Sequence, residues 1–170
     1  MPSNVRFATF SDAHELARLR WLSRPEHDQG AEVLKAFAER FQPWLHNALS
    51  SGSWWAAVGV RDSESLAGCM YLQRVATVPV PGMQSRAWGY VTHAFVEEAS
   101  RGQGLGTALL AFLVRKAREE KLEELQVWPS SQAVSLYIRA GFISPEALRA
   151  MHHPEEASYV LPLAKAISEA

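Results

Sequence analysis

A stretch past the middle of the chain, Ser100 to Leu110, reads SRGQGLGTALL. Three glycines occupy alternate positions directly before an apolar run at helical spacing, and an arginine stands just ahead of them. Glycine removes side chains where a backbone or ligand must come close, and the start of the following helix presents unpaired amides. The stretch therefore predicts a local anion site built from backbone N–H groups, with Arg101 as a positive charge at its mouth.

Two common phosphate-binding loops fit this stretch poorly. A P-loop needs a lysine and then serine or threonine after its last glycine, whereas Thr107 and Ala108 follow Gly106. A dinucleotide fingerprint needs its third glycine where Thr107 stands, and it usually follows the first strand of a domain. Both loops are therefore disfavoured.

Hydrophobic periodicity and turn residues divide the first part of the chain into strands and helices. Asp12 and Glu15 have the spacing of a capping pair that opens a helix, and Pro43 should bend or divide a later helical pattern, with two helical pieces expected. The predicted elements are a strand over Val5–Thr9, a helix carrying Leu16, Leu19 and Leu22, a helical pattern over Ala31–Leu49, and strands over Trp54–Val60, Leu66–Val75 and Trp88–Val96, with turns around Asp62 and Pro79–Gly82.

The second part of the chain alternates helices with short strands. A helix is expected from Gly104, a strand at Leu125, a helix from Gln132 closed by Gly141, a strand from Phe142 and a last strand over Ser158–Leu163, while Ser144–His153 is either a helical turn or a loop. This order predicts one α/β (α+β) domain over residues 1–170, with a mixed, mostly antiparallel sheet of six to seven strands and helices on both faces.

Residues Arg101 to Gly106 match a third phosphate loop: arginine or glutamine, two residues, glycine, one residue, then glycine or alanine. With SLYIRAGF about thirty residues later, across a helix and a strand, the sequence resembles the GNAT superfamily of acyl-coenzyme-A-dependent N-acyltransferases. The resemblance is strongest from Trp88 to Phe142, about a third of the chain, which is the expected acetyl-CoA-binding region.

The resemblance implies a donor site for acetyl-CoA. Backbone amides from Gln103 to Thr107 would hold the pyrophosphate, and the end of the preceding strand would pair with the pantetheine arm, whose two amides can mimic a strand. Related sequences commonly have asparagine where Ser131 stands, and helix capping alone would explain the serine. The expected coenzyme-binding residues are Ala94, Phe95, Val96, Arg101, Gly102, Gln103, Gly104, Leu105, Gly106, Thr107 and Ser131.

Acyl transfer to an amine needs a deprotonated amine, an oxyanion donor and a proton for the departing thiolate. The resemblance gives the last role to Tyr137, which is alternatively a core residue of an amphipathic helix. The general base stays unassigned. His93 is one candidate, and its alternative interpretation is a structural histidine. Proton removal through a water chain is the other candidate. Glu97 and Glu98 lie beyond the strand and are expected to be solvated.

Composition restricts the partners. Lysine plus arginine (17) nearly balance aspartate plus glutamate (18), which disfavours nucleic acid and anionic membranes as partners. No apolar stretch is long enough to span a bilayer and no secretion signal is visible, so we expect a soluble, cytoplasmic protein.

Cys69, the only cysteine, is expected in the core. No metal is expected, because His152 and His153 are adjacent and lack a third ligand.

The sequence therefore predicts an enzyme that transfers an acetyl group from acetyl-CoA to a primary amine of a small molecule, peptide or protein, by direct attack in a ternary complex. A non-catalytic acyl-CoA sensor or partner-binding module on the same fold is the alternative. Relatives are often dimers, so a homodimer is compatible with the resemblance.

Overall fold

The computed structural model of the chain describes residues 4–24, 30, 32–61, 65–82, 86–151 and 159–163. They form two compact units. The first unit contains the described residues up to Leu72 together with His93–Leu113, and the second contains Gln73–Thr92 and the described residues from Val114 onward. None of the helices in these ranges is both long and apolar enough to cross a membrane.

The described residues form a six-stranded sheet whose strands lie side by side in chain order. The strands are β1 (Asn4–Phe7), β2 (Trp54–Val60), β3 (Leu66–Ala76), β4 (Ala87–Val96), β5 (Glu124–Val127) and β6 (Tyr159–Pro162). The helices are α1 (Ala13–Leu22), α2 (Leu34–Ser50), α3 (Leu105–Glu119), α4 (Val134–Arg139) and α5 (Pro145–Ala150). This architecture confirms the predicted mixed α/β fold.

The sheet is mostly antiparallel, with one parallel pair. β1 pairs with β2 from Asn4 opposite Val60, and β5 pairs antiparallel with β6. β4 and β5 run parallel, with Gly89 opposite Leu125 and Tyr90 opposite Gln126. Parallel neighbours need a crossover connection, and α3 lies in the chain between these two strands.

The core of the first unit forms where α1 and α2 cover the strands. α1 packs against α2, and α2 packs against β2. Cys69 is completely buried in this core, as predicted. The buried cluster consists of Leu16, Ala17, Leu19, Ala38, Phe41, Leu45, Ala56, Val58, Leu66, Cys69 and Tyr71.

Two expectations for the first helices were wrong. α2 is one helix that continues through Pro43. Proline removes only the bond to the carbonyl of Glu39, and both residues are exposed, so water can satisfy that carbonyl. The capping pair is Thr9 with Asp12, because Thr9 N–H donates to the Asp12 carboxylate at 2.7 Å. Asp12 also binds Arg6 through two 2.8 Å hydrogen bonds, and Glu15 binds Arg18 instead of capping α1.

The C-terminal elements differ from the prediction in one strand. The strand expected from Phe142 is a single bridge between Ile143 and Val160, because the chain enters α5 two residues later. Ser144 caps α5 by accepting from Ala147 N–H at 3.3 Å, which decides the segment left open between a helical turn and a loop. The predicted turn at Asp62, the histidines 152 and 153, and the first residue of the last predicted strand lie outside the described residues.

Candidate donor site

The glycine loop connects the end of β4 to the start of α3. Residues Glu98–Ser100 form a single 3-10 turn, and α3 begins at Leu105. Gly102 and Gly104 have φ angles of 72° and 81°, in the left-handed region that favours glycine. Both are exposed. Glycine is therefore the residue that adopts this loop backbone without strain.

The space beside this loop is open, and unpaired amides precede the helix. A Cβ built on Gly102 or Gly104 would meet no protein atom within 4 Å. Ala108 N–H bonds to Gly104 O at 3.0 Å, so the amides of Leu105, Gly106 and Thr107 come before the first helical hydrogen bond. Amides at the start of a helix are the groups that bind a phosphate.

Two polar side chains of the loop bind back onto the backbone. Arg101 is exposed, and its Nε–H donates to Val96 O at 3.0 Å. Gln103 Nε2 donates to Ala99 O at 3.0 Å. Arginine has further N–H donors beyond Nε, and these are the donors through which Arg101 can bind an anion.

The end of β4 is held close to β3 by a glycine that the sequence reasoning missed. A Cβ on Gly68 would lie 2.7 Å from the carbonyl oxygen of Phe95 and 3.2 Å from Val96 Cα. Glu97 N–H donates to Ala67 O at 2.9 Å, and this hydrogen bond holds the residue that follows β4 against β3. A glycine inside an apolar strand is the signal that could have found this contact.

Glu97 is not the solvated loop residue that the sequence suggested. Its carboxylate binds both Arg18 and Arg61, and its side chain is 15% exposed. Burial alone raises the pKa of Glu97, but the hydrogen bonds from the two guanidinium groups outweigh it and hold the pKa below its usual range. The partners are 79 and 36 positions away in the sequence, so no local pattern could reveal them.

His93 lies within β4, directly before the predicted pantetheine-binding segment. Its φ of 48° lies in the left-handed region, which is uncommon for a residue with a side chain. Its Nδ1 lies 2.9 Å from Nη1 of Arg20. Burial, and then the charge of Arg20, lower the pKa of His93 to about 3. The imidazole is therefore neutral and a weak base in this environment.

Tyr137 and Ser131 lie in the second unit. Tyr137 is 2% exposed and packs edge-to-face on Phe142, with ring centroids 5.2 Å apart. Burial, with a smaller contribution from Tyr90, raises the pKa of Tyr137 to about 12, so the phenol keeps its proton at neutral pH. Ser131 is exposed and does not cap α4, because the helix begins at Val134 with Ala133 at the N-cap.

The predicted site residues therefore fall into two groups. His93, the β4 end and the glycine loop lie in the first unit, where the Arg101–Val96 hydrogen bond joins loop to strand. Ser131 and Tyr137 lie in the second unit. The individual roles given to these residues stay predictions. Over the ranges that the structure describes, no cluster of three or more histidine, cysteine, aspartate or glutamate side chains could hold a metal ion.

The mostly antiparallel mixed sheet, with a glycine loop between β4 and the following helix, is the fold of acetyltransferases of known structure. The chain belongs to the acetyltransferase (GNAT) family, whose model matches residues 13–142. A comparison with curated protein sequences gives no significant match.

Solved structures share the fold at low sequence identity. A predicted acetyltransferase from Clostridium acetobutylicum, crystallised with acetyl-CoA, superposes with a TM-score of 0.67 at 21% identity, covering 83% of this chain and 90% of that one. A GCN5-related N-acetyltransferase from Ralstonia eutropha gives 0.63 at 21% identity, covering 82% and 92%. Glucosamine-6-phosphate N-acetyltransferase from Arabidopsis thaliana gives 0.66 at 16% identity, covering 85% and 93%.

Proposed function

We propose that this protein transfers an acetyl group from acetyl-CoA to a primary amine of a small molecule or peptide, by direct attack within a ternary complex. The glycine loop is the observation that carries the proposal. It combines left-handed, exposed glycines, open space beside them and unpaired helix amides, and these are the features that a diphosphate needs. The family membership supports the same chemistry.

Each part of the donor site has a role in this proposal. The amides of Gln103 to Thr107 bind the pyrophosphate, and Arg101 adds charge-assisted donors. The backbone of Ala94, Phe95 and Val96 pairs with pantetheine as an additional strand would. Ser131 supplies one further polar contact to the coenzyme.

Tyr137 donates the proton to the departing thiolate. A phenol with a pKa of about 12 stays protonated across the working pH range, so its hydroxyl proton is available for transfer to the thiolate. The low pKa of His93 makes it a poor base, and we favour proton loss from the amine through water. Direct attack also fits Cys69, which is completely buried and whose pKa burial raises to about 12, because such a thiol is a poor nucleophile.

The weak base favours a second candidate, a sensor that binds acyl-CoA without transferring the acyl group. Free thiol release from acetyl-CoA with a panel of amines separates the two functions, with coenzyme binding measured in parallel by calorimetry. Thiol release that depends on an amine supports the transferase. Coenzyme binding with no release across the panel supports the sensor.

Valine at Gly104 tests the donor site itself. We expect it to weaken coenzyme A binding by about ten-fold or more, because the side chain strains the left-handed backbone and fills the phosphate space. Valine at Gly30, where a Cβ meets no atom within 4 Å and the backbone is not left-handed, is the control. Equal affinity of the two variants would refute the donor site.

We further propose that the protein acts in the cytoplasm, without a metal, and that a homodimer is its assembly.

A further inference from the structure

Three polar side chains from different elements of the first unit lie close together at the edge of its core. Arg20 lies near the end of α1, Tyr71 lies in β3, and His93 lies in β4. The rings of Tyr71 and His93 have centroids 5.5 Å apart, and Arg20 contacts His93 Nδ1 at 2.9 Å. Tyr71 is only 3% exposed and also packs against Trp44. We call Arg20, Tyr71 and His93 the polar triad.

The Arg20 contact fixes the hydrogen on His93. A guanidinium group has only donors, so Nδ1 must accept the hydrogen bond from Arg20. The imidazole is neutral, because its pKa is lowered to about 3. A neutral imidazole carries one ring proton, and that proton therefore resides on Nε2. His93 thus presents an N–H donor away from Arg20.

Among the described residues, the two other polar atoms of the triad have no hydrogen-bond partner. Tyr71 Oη and His93 Nε2 are buried, and neither forms a hydrogen bond to any of the residues that the structure describes. Native proteins rarely leave such groups unpaired, because each lost its water on burial. The rings that carry these two unpaired groups have centroids 5.5 Å apart, and this proximity points to one shared partner that is not among the described residues.

The charge of the triad indicates what that group is. The charge of Arg20 acts on both His93 and Tyr71, and no carboxylate among the described residues contributes to the pKa shift of either. An O–H, an N–H and a nearby guanidinium favour an oxygen anion and disfavour an ammonium group. A carboxylate accepts several hydrogen bonds in one plane and matches this set of donors.

We propose that Tyr71 Oη and His93 Nε2, beside the Arg20 guanidinium, bind a carboxylate of the acceptor, so that the acetylated substrate is an amino acid or a related amine that carries a carboxylate. The identity of this ligand as the acceptor rests on the proposed acetyltransferase function. His93 directly precedes the Ala94–Val96 segment proposed for pantetheine, so the triad would hold the acceptor beside the thioester.

Binding of product analogues tests the site without relying on turnover. We would titrate N-acetylglycine, N-acetylphenylalanine and N-acetylglutamate, each against its carboxamide, into the protein saturated with coenzyme A. At least one carboxylate should bind about ten-fold or more tightly than its carboxamide, as expected for hydrogen bonds to a charged group. Equal binding of every pair, or no binding of any carboxylate, would overturn the proposal and leave an ordered water as the partner of the two atoms.

Substitutions test which atoms bind the carboxylate. Tyr71→Phe keeps the ring and its contact with Trp44 but removes the hydroxyl, and His93→Asn removes Nε2 while tolerating the left-handed backbone. Each should reduce the carboxylate preference about five-fold or more. Tyr159→Phe, a change of the same chemistry in β6, is the control and should leave the preference unchanged. An unchanged preference in both triad variants would contradict the assignment.

Thiol release with free amino acids and their carboxamides separates this inference from the proposed function. Turnover of carboxamides or simple amines with no preference for carboxylates would refute the triad as acceptor site and leave the acetyltransferase intact. Preferential carboxylate binding without thiol release would retain the triad as a carboxylate site and refute the acetyltransferase.

Discussion

Gly68 is the position where a single methyl group should disturb the donor site most directly. Its added Cβ would lie 2.7 Å from the Phe95 carbonyl oxygen and 3.2 Å from Val96 Cα. Ordinary contacts between carbon atoms lie at roughly 3.5–4.0 Å, so β4 would have to move by about half an ångström. The obstacle is backbone, which cannot rotate aside as a side-chain end can. The movement falls on the segment proposed to bind pantetheine.

We therefore expect Gly68→Ala to lower both stability and coenzyme affinity. Overpacking of this kind costs about 1–3 kcal/mol, which for a chain of this size corresponds to a melting-temperature decrease of roughly 2–12 °C. Circular dichroism measures the unfolding, and calorimetry measures coenzyme A binding to the folded variant, which we expect to be about ten-fold weaker. Gly30→Ala is the control, since its Cβ would meet no atom within 4 Å. A folded Gly68→Ala protein with native coenzyme affinity would refute the link between this contact and the donor site.

Three further predictions test the residues around the site. Tyr137→Phe should reduce kcat about ten-fold or more with little change in acetyl-CoA affinity, because the ring contact with Phe142 is retained; an unchanged kcat would exclude the phenol as the acid. The His93 ring, followed by NMR, should stay neutral from about pH 5 to 8. In the unfolded chain a histidine binds a proton below about pH 6.5. The contribution of His93 to the free energy of unfolding therefore falls as the pH decreases from about 6.5 towards 3. Arg18→Met should weaken coenzyme A binding several-fold in calorimetry, whereas Arg40→Met, which breaks an exposed pair with Glu32, should not; equal effects would contradict a role for Arg18 in positioning the loop.

The sequence predicted the glycine loop well because the determinants of that loop are local. The glycine spacing and the first apolar turn of a helix are properties of neighbouring residues, so a loop ahead of α3 could be inferred without tertiary contacts, whereas the left-handed φ angles of Gly102 and Gly104 are a finding of the structure. The same holds for β2, which runs from Trp54 to Val60 as predicted. These features also carry the resemblance to the family.

The errors arose where solvent or distant partners decide the structure. Pro43 was expected to bend or divide a helix, but it lies on the exposed side with Glu39, whose carbonyl loses its helical partner, and the helix continues. Glu97 was expected to be solvated, but arginines from remote positions bind it. Tyr71 lies within the apolar pattern of β3, and only the tertiary structure brings it beside His93 and Arg20.

Helix α1 connects these long-range contacts, because it holds β4 at both ends of the segment proposed for pantetheine. Arg20 binds His93, which directly precedes Ala94–Val96, and Arg18 binds Glu97, which directly follows it. Arg18 also donates to Leu66 O of β3 at 3.1 Å, so the same side chain ties β4 to its neighbouring strand. A ligand that binds Arg20 and His93 therefore acts on a residue covalently joined to the proposed donor segment. Acceptor and coenzyme would then be coupled through α1 and β4, without movement of the glycine loop.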